Sequence, residues 1–259
     1  MCKPFLIDAH IHLDLYEMEE REKILQELDL YSVEALISVS FHLQSSKQNL
    51  AFANRDRRIK AAAGFHPEQE LPSVREVDEL LAYIQRNHED LAAIGEVGLP
   101  YYKMKSDPSM VLTPYIELLE RFIIESKLLD KPIILHGVYE HAPIICDLLE
   151  KHSVSKAHFH WFKGDKETIE RMIRNGYYVS VTPDVLYEEE IQQLVRNYPI
   201  ERLMVETDGP WRFGDVFQER MTHPGMMHRS IEKIAEIKGM SEAAVYKQMF
   251  WNTSEFYGI

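Results

Sequence analysis

The chain has 259 residues, 45% hydrophobic and 27% charged, a balance that excludes a disordered, collagen-like or disulfide-framework protein. Twenty-nine Lys and Arg stand against 42 Asp and Glu, a net charge of −13. That counts against a broad basic nucleic-acid groove, but not against action at a nucleic-acid end, where bound metal ions supply positive charge.

Eight short apolar runs follow one another along the chain: Phe5–His10, Glu34–Ser40, Ile59–Phe65, Leu91–Val97, Pro132–His136, Ala157–Phe162, Tyr177–Val181 and Leu203–Glu206. Several are nearly all apolar, as fully buried parallel strands are. Between them lie helical stripes: Val77, Leu80, Leu81 and Ile84; Tyr115, Leu118, Leu119 and Phe122; Ile144, Ile145, Leu148 and Leu149; and Ile191, Leu194, Val195 and Tyr198. Ser73 with Glu76 has capping-box spacing, and Pro143 suits a first helical turn. A closing helical region over 225–256 is expected to break near Gly239. Eight βα units predict a single-domain (β/α)₈ TIM barrel, with an open doubly wound sheet as the alternative.

The N-terminus carries Asp8 and His10 where a signal peptide needs an apolar run, and no segment approaches the ~18 apolar residues of a membrane span. A cytoplasmic protein without membrane association is expected, and no feature marks an obligate protein partner. Cys2 and Cys146 lack the spacing of a metal knuckle or redox pair and are expected to be free thiols.

In such a barrel the chemistry sits at the C-terminal strand ends. There the sequence places His10 and His12, two apart and therefore on one strand side, with Asp8 expected to share that side one step deeper. Glu96, His136, His160 and Asp208 end four further runs. Burying so many ionisable groups without a counter-charge is costly. Imidazoles and carboxylates converging in one cavity are what one or two divalent cations need, with Zn, Mn or Mg all admitted by this mixed set. Asp208 could hold an ion and accept a proton from water, and Glu96 could bridge two ions through its two oxygens.

Other candidates have blander readings. Glu206 is expected behind the ligands, orienting a histidine. His158 is expected to pack in the core, Cys146 likewise. Lys163, Arg212 and Arg229 could meet a phosphate or lie on an ordinary surface. Most of His42, His88, His141, His152, His223 and His228 are expected to be solvated. The glycines of Gly95–Gly98 are not a dinucleotide fingerprint, and no P-loop, G-x-S-x-G or H-E-x-x-H string occurs.

The chain resembles the TatD family of metal-dependent deoxyribonucleases, within the amidohydrolase-like TIM barrels. The motifs are IDAHIHL (7–13), GFHPE (64–68), IGEVGL (94–99), ILHG (134–137), HWFKG (160–164) and ETDGPW (206–211), in family order over nearly the whole chain; the ending NTSEFYGI is similar to the family's closing helix. The resemblance implies two divalent ions: His10, His12 and Asp208 on one, His136 and His160 on the other, and Glu96 between them, where many related barrels carry a carbamylated Lys. It also implies that His66 faces substrate rather than metal, and that the reaction is hydrolysis of a phosphodiester at a DNA end or in a small substrate. Three departures alter the pocket wall. Pro100 stands where the family often has Asp, the fifth-strand motif lacks its Arg, and Trp161 and Lys163 replace a small Cys and Ser. Two other readings stay open: hydrolysis of a carboxylic ester, lactone or amide on the same barrel, and a catalytically silent metal-binding scaffold.

Overall fold

Each of the eight runs forms a strand in the computed structural model, which describes residues 4–259. They are β1 (Leu6–Ile11), β2 (Val33–Ser38), β3 (Ile59–Ala63), β4 (Ala93–Gly98), β5 (Ile133–His136), β6 (Ala157–Phe159), β7 (Tyr178–Val181) and β8 (Leu203–Val205). Sequential strands pair in parallel, in the order β1 to β8. The ring closes just past the strand ends, where Asp208 N donates to His10 O at 2.9 Å and His12 N to Gly209 O at 2.8 Å. The fold is therefore the closed (β/α)₈ barrel rather than the open sheet.

The helices around it are α1 (Met18–Glu27), α2 (Leu43–Ala53), α3 (Val74–Asn87), α4 (Tyr101–Ser106), α5 (Thr113–Leu129), α6 (His141–Lys151), α7 (Lys166–Asn175), α8 (Glu189–Asn197), α9 (Met227–Lys238) and α10 (Glu242–Tyr257). The Ser73–Glu76 capping box opens α3, and Val77, Leu80, Leu81 and Ile84 are its buried face. Gly239 ends α9 at φ +63°, the left-handed cap that glycine supplies most cheaply. Among the described residues, no helix is long and apolar enough to cross a membrane.

The main apolar core lies between strands and helices. A second cluster fills the barrel axis, where Ile7, Ala9, Ala35, Ile37, Ala62, Ala93, Ile134 and Met204 pack on Phe256 and Tyr257 of α10. Cys146 is a buried free thiol of α6; Cys2 lies outside the described residues.

Two strands depart from simple alternation. From Asp8 to Ile11, β1 spends three steps against two on β2, Leu36 to Ser38. From Ile94 to Val97, β4 does the same against Ile133 to Leu135 of β5. Each extra residue is a bulge that reverses the facing of the residues beyond it. Ala9 and Ala93 belong to the axial cluster, whereas Ile11 and Val97 belong to the outer core. The bulges thus turn His10 and Glu96 inward. They also overturn the expectation that Asp8 shares a side with His10 and His12: Asp8 instead bonds to Thr207 beside β8.

Candidate metal centre

Six strand ends deliver His10, His12, His66, Glu96, His136, His160 and Asp208 to one mouth of the barrel, and all are buried. Backbone must come close to let Glu96 in, and glycine allows it. A Cβ on Gly64 would stand 2.6 Å from Glu96 O, and one on Gly95 would stand 2.7 Å from Ile134 Cβ. Asp208 takes φ +46°, a left-handed conformation that Asp tolerates, in the turn that leads into Gly209–Pro210.

The two oxygens of Glu96 divide the histidines. Oε2 lies 3.2 Å from His10 Nε2 and 3.3 Å from His12 Nε2. Oε1 lies 2.9 Å from His136 Nδ1 and 2.6 Å from His160 Nε2. Asp208 Oδ1 stands 3.3 Å from both His10 Nε2 and His12 Nε2, and those two nitrogens are 3.4 Å apart. Glu96 Oε2 and Asp208 Oδ1 are nonetheless buried without a hydrogen-bond partner.

This set fits a cation. Donor spacings of roughly 3.3 Å are what a tetrahedral shell with bonds of about 2.0–2.1 Å requires. The charge balance agrees. Burial disfavours protonated His10, yet Glu96 and Asp208 hold it well above its ordinary value. Burial likewise opposes the proton on His136, but Glu68 and Glu96 raise it to about 9. Glu96 is held well below the usual carboxylate range: burial opposes ionisation, and the histidines around it, His160 first, outweigh it. Protons on imidazole thus neutralise the carboxylates, and a divalent cation does the same while leaving the imidazoles neutral.

His66 differs from the others. Its Nδ1 accepts a hydrogen bond from Glu68 N at 3.2 Å, so the ring proton sits on Nε2, 3.6 Å from Glu96 Oε1. Burial pushes its pKa down to about 3, so the ring is neutral. It presents a donor to the centre, within a group of His66, Glu96 and His136 whose atoms lie close enough to hold an ion.

Glu206 lies behind the centre. Its Oε1 accepts from Trp161 N at 2.7 Å and its Oε2 from Ser180 Oγ at 2.5 Å. His160 Nδ1 is 3.8 Å away, beyond hydrogen-bond reach, so Glu206 shapes the Trp161 backbone more directly than it orients His160. His158, fully buried, continues this chain: Nε2 meets Ser180 Oγ at 2.5 Å and Nδ1 meets Tyr257 Oη at 2.8 Å. It is a core residue, as expected.

Trp161 forms one wall. Its backbone is left-handed at φ +38°, its Nε1 donates to Asp184 Oδ2 at 2.7 Å, and the Lys163 ammonium lies 5.5 Å from its ring centre. Arg212 is exposed in the loop after β8, whereas Arg229 pairs with Glu232 at 3.1 Å. The solvated reading of the remaining histidines fails for three: His141, His223 and His228 are buried, the last between Tyr246 Oη and Tyr31 O, each at 2.7 Å. Sequence reasoning gave no role to Glu68, although it closes the GFHPE motif; an acid directly after a strand-end His-Pro was the available signal.

The family profile described as TatD related DNase matches residues 7–258. An uncharacterised metal-dependent hydrolase of Haemophilus influenzae is 39% identical over 253 residues, covering 97% of this chain and 99% of that protein. Human deoxyribonuclease TATDN3 is 27% identical over 268 residues, with 97% and 94% covered. Among solved structures, a TatD homologue from Escherichia coli aligns with a TM-score of 0.86 at 22% identity, covering 98% of both chains. A TatD family hydrolase from Entamoeba histolytica gives 0.82 at 20% identity, covering 99% of each. A profile match over nearly every residue, joined to a centre whose donors fit divalent cations, makes this chain a member of the TatD-related DNase family and a metal-dependent hydrolase.

Proposed function

We propose that the protein is a binuclear divalent-metal-dependent phosphodiesterase that hydrolyses phosphodiester bonds at DNA ends. The observation that carries this reading is the division of Glu96: one oxygen faces the His10–His12 pair, the other the His136–His160 pair. His10, His12 and Asp208 would hold one ion, His136 and His160 the other, with Glu96 shared. The family membership and the human relative named a deoxyribonuclease support the substrate class.

Bound ions supply Lewis acidity toward a phosphoryl oxygen and bring water to a reactive pKa near neutrality. The chain's own groups do the rest. Asp208 would hold the ion through Oδ1, which lies beside His10 and His12, leaving its second oxygen, Oδ2, to accept a proton from attacking water. His66 Nε2–H donates toward charge developing on the substrate. Lys163 and Arg212, on loops at the mouth, attract the phosphate backbone and fix its approach.

The test is elemental analysis of unchelated protein, followed by turnover of end-labelled DNA and small phosphodiesters with added Mg²⁺, Mn²⁺ or Zn²⁺. Carboxylic ester and lactone panels run in parallel. Two metal equivalents with phosphodiester turnover are expected. Turnover confined to esters or lactones overturns the substrate class, and full metal occupancy without turnover on any panel indicates a scaffold.

A further inference from the structure

The side chain of Glu68 makes a contact that the proposed chemistry does not use. Its carboxylate is fixed by two backbone donors, Tyr102 N to Oε1 at 2.8 Å and Lys103 N to Oε2 at 2.6 Å. The loop carrying it is pinned as well. Gln69 Nε2 donates to Phe41 O at 2.7 Å and to His66 O at 2.9 Å, and Tyr115 Oη donates to Gln69 O at 3.0 Å. From this anchored position Glu68 Oε1 lies 3.2 Å from His136 Nε2. The opposite ring nitrogen, His136 Nδ1, is the one at 2.9 Å from Glu96 Oε1 and 3.3 Å from His160 Nε2.

Both imidazoles flanking this loop are thereby given a definite face. The backbone N–H of Glu68 occupies His66 Nδ1 and leaves a proton on Nε2, toward the centre. The carboxylate of Glu68 can only accept, so it holds a proton on His136 Nε2; Nδ1 faces Glu96 Oε1, and a cation standing between them would take the Nδ1 lone pair while the Nε2 proton stays on Glu68. One residue sets neighbouring histidines to opposite tasks: His66 as donor, His136 as ligand.

We infer that Glu68 is a positioning residue that fixes the proton on His136 Nε2 and so commits Nδ1 to a divalent cation on the His136–His160 side of Glu96. This rests on the binuclear reading for the role of the cation, but not for the hydrogen bond itself. A carboxylate behind a ligand histidine raises its basicity and fixes its ring; removing such a partner typically costs ~10–100-fold in metal affinity. His10 and His12 make no contact with Glu68, so the effect falls on one of two equivalents.

The test compares the parent with Glu68→Ala and Glu68→Gln by two measurements. The first is the ¹H–¹⁵N signal of His136 Nε2–H, in metal-free and Zn²⁺-loaded protein. The second is Zn²⁺ affinity by competition with a chromophoric chelator. In the parent, a downfield, slowly exchanging Nε2–H is expected. In Glu68→Ala that signal is lost to exchange and one Zn²⁺ equivalent binds ~10–100-fold more weakly, the other being unchanged. Glu68→Gln keeps one acceptor oxygen and falls between the two on both measures, which a merely structural role would not produce. An unchanged Nε2–H signal in either folded variant, or equal weakening of both equivalents, overturns the assignment. A parent that binds no Zn²⁺ but loses the Nε2–H signal in Glu68→Ala refutes the metal reading while supporting the hydrogen-bond role of Glu68.

Discussion

Asp8 of the first strand accepts two hydrogen bonds from Thr207 beyond the last, from the backbone N at 3.0 Å and from Oγ1 at 2.5 Å. Both residues are fully buried. This pair ties the ends of the barrel together directly beneath the centre, because Asp8 is two residues from His10 and Thr207 is next to Asp208.

Replacing Asp8 should therefore loosen the closure. Asp8→Ala strands a buried N–H and a buried hydroxyl, at a cost of about 1–3 kcal/mol. Asp8→Asn keeps one acceptor and should cost less. Urea unfolding of the metal-free proteins measures both, and equal stability of parent and Asp8→Ala would show that the strap is idle.

Glu96 faces both histidine pairs, so its loss should reach both ions. Glu96→Ala is expected to retain less metal than His12→Ala, which removes a single donor. Glu96→Gln keeps the size but removes the charge and should also weaken retention. Elemental analysis after gel filtration is the measurement. Parent-like metal content in both Glu96 variants would give this carboxylate another task.

Asp208→Asn keeps an oxygen for the ion but is a far poorer proton acceptor. The variant should fold, retain at least one metal equivalent, and lose at least ~10²-fold in kcat on any phosphodiester the parent cleaves. Near-parent kcat in metal-loaded Asp208→Asn would leave only the turn role for this residue.

His223 yields a pH prediction away from the centre. Burial lowers its pKa to about 4, although Glu27 at 3.5 Å pulls the other way. The unfolded chain takes up this proton near pH 6.5, before the folded protein does. The contribution to stability is thus complete above pH 6.5 and declines as pH falls toward 4, by about 1.4 kcal/mol per unit of the window. His223→Gln removes the titration while keeping an acceptor for Gly225 N, which His223 Nδ1 now serves at 3.0 Å. Between pH 7 and pH 5 the parent should lose more stability than the variant, as read from urea midpoints. Parallel losses would exclude His223 as the source.

The barrel was legible because its signals repeat. All eight apolar runs became strands, displaced by at most a few residues at their ends, and the expected helical stripes became buried helix faces, save for Leu118 and Ile144, which are half-buried. Strand-end placement singled out His10, His12, Glu96, His136, His160 and Asp208, and the structure brings them to one mouth with His10 and Glu96 turned in by the bulges. What alternation missed was the pair of bulges. A period of two puts Asp8 with His10, and only the register against β2 reveals the extra residue that parts them. The buried histidines of α6, α9 and the loop before α9 were missed for a related reason. Their partners, such as Tyr246 and Tyr31 around His228, are distant in sequence and meet only in the fold.

The hydrogen-bonded series Tyr257–His158–Ser180–Glu206 runs from the closing helix to the backbone of Trp161 at the mouth. Hydrogen bonds thus join the floor of the barrel to its rim without a break. A fusion or truncation that pulls Tyr257 away is then expected to disturb the backbone of Trp161, at the other end of the barrel. Where a label or tether is attached is therefore an enzymological choice for this protein.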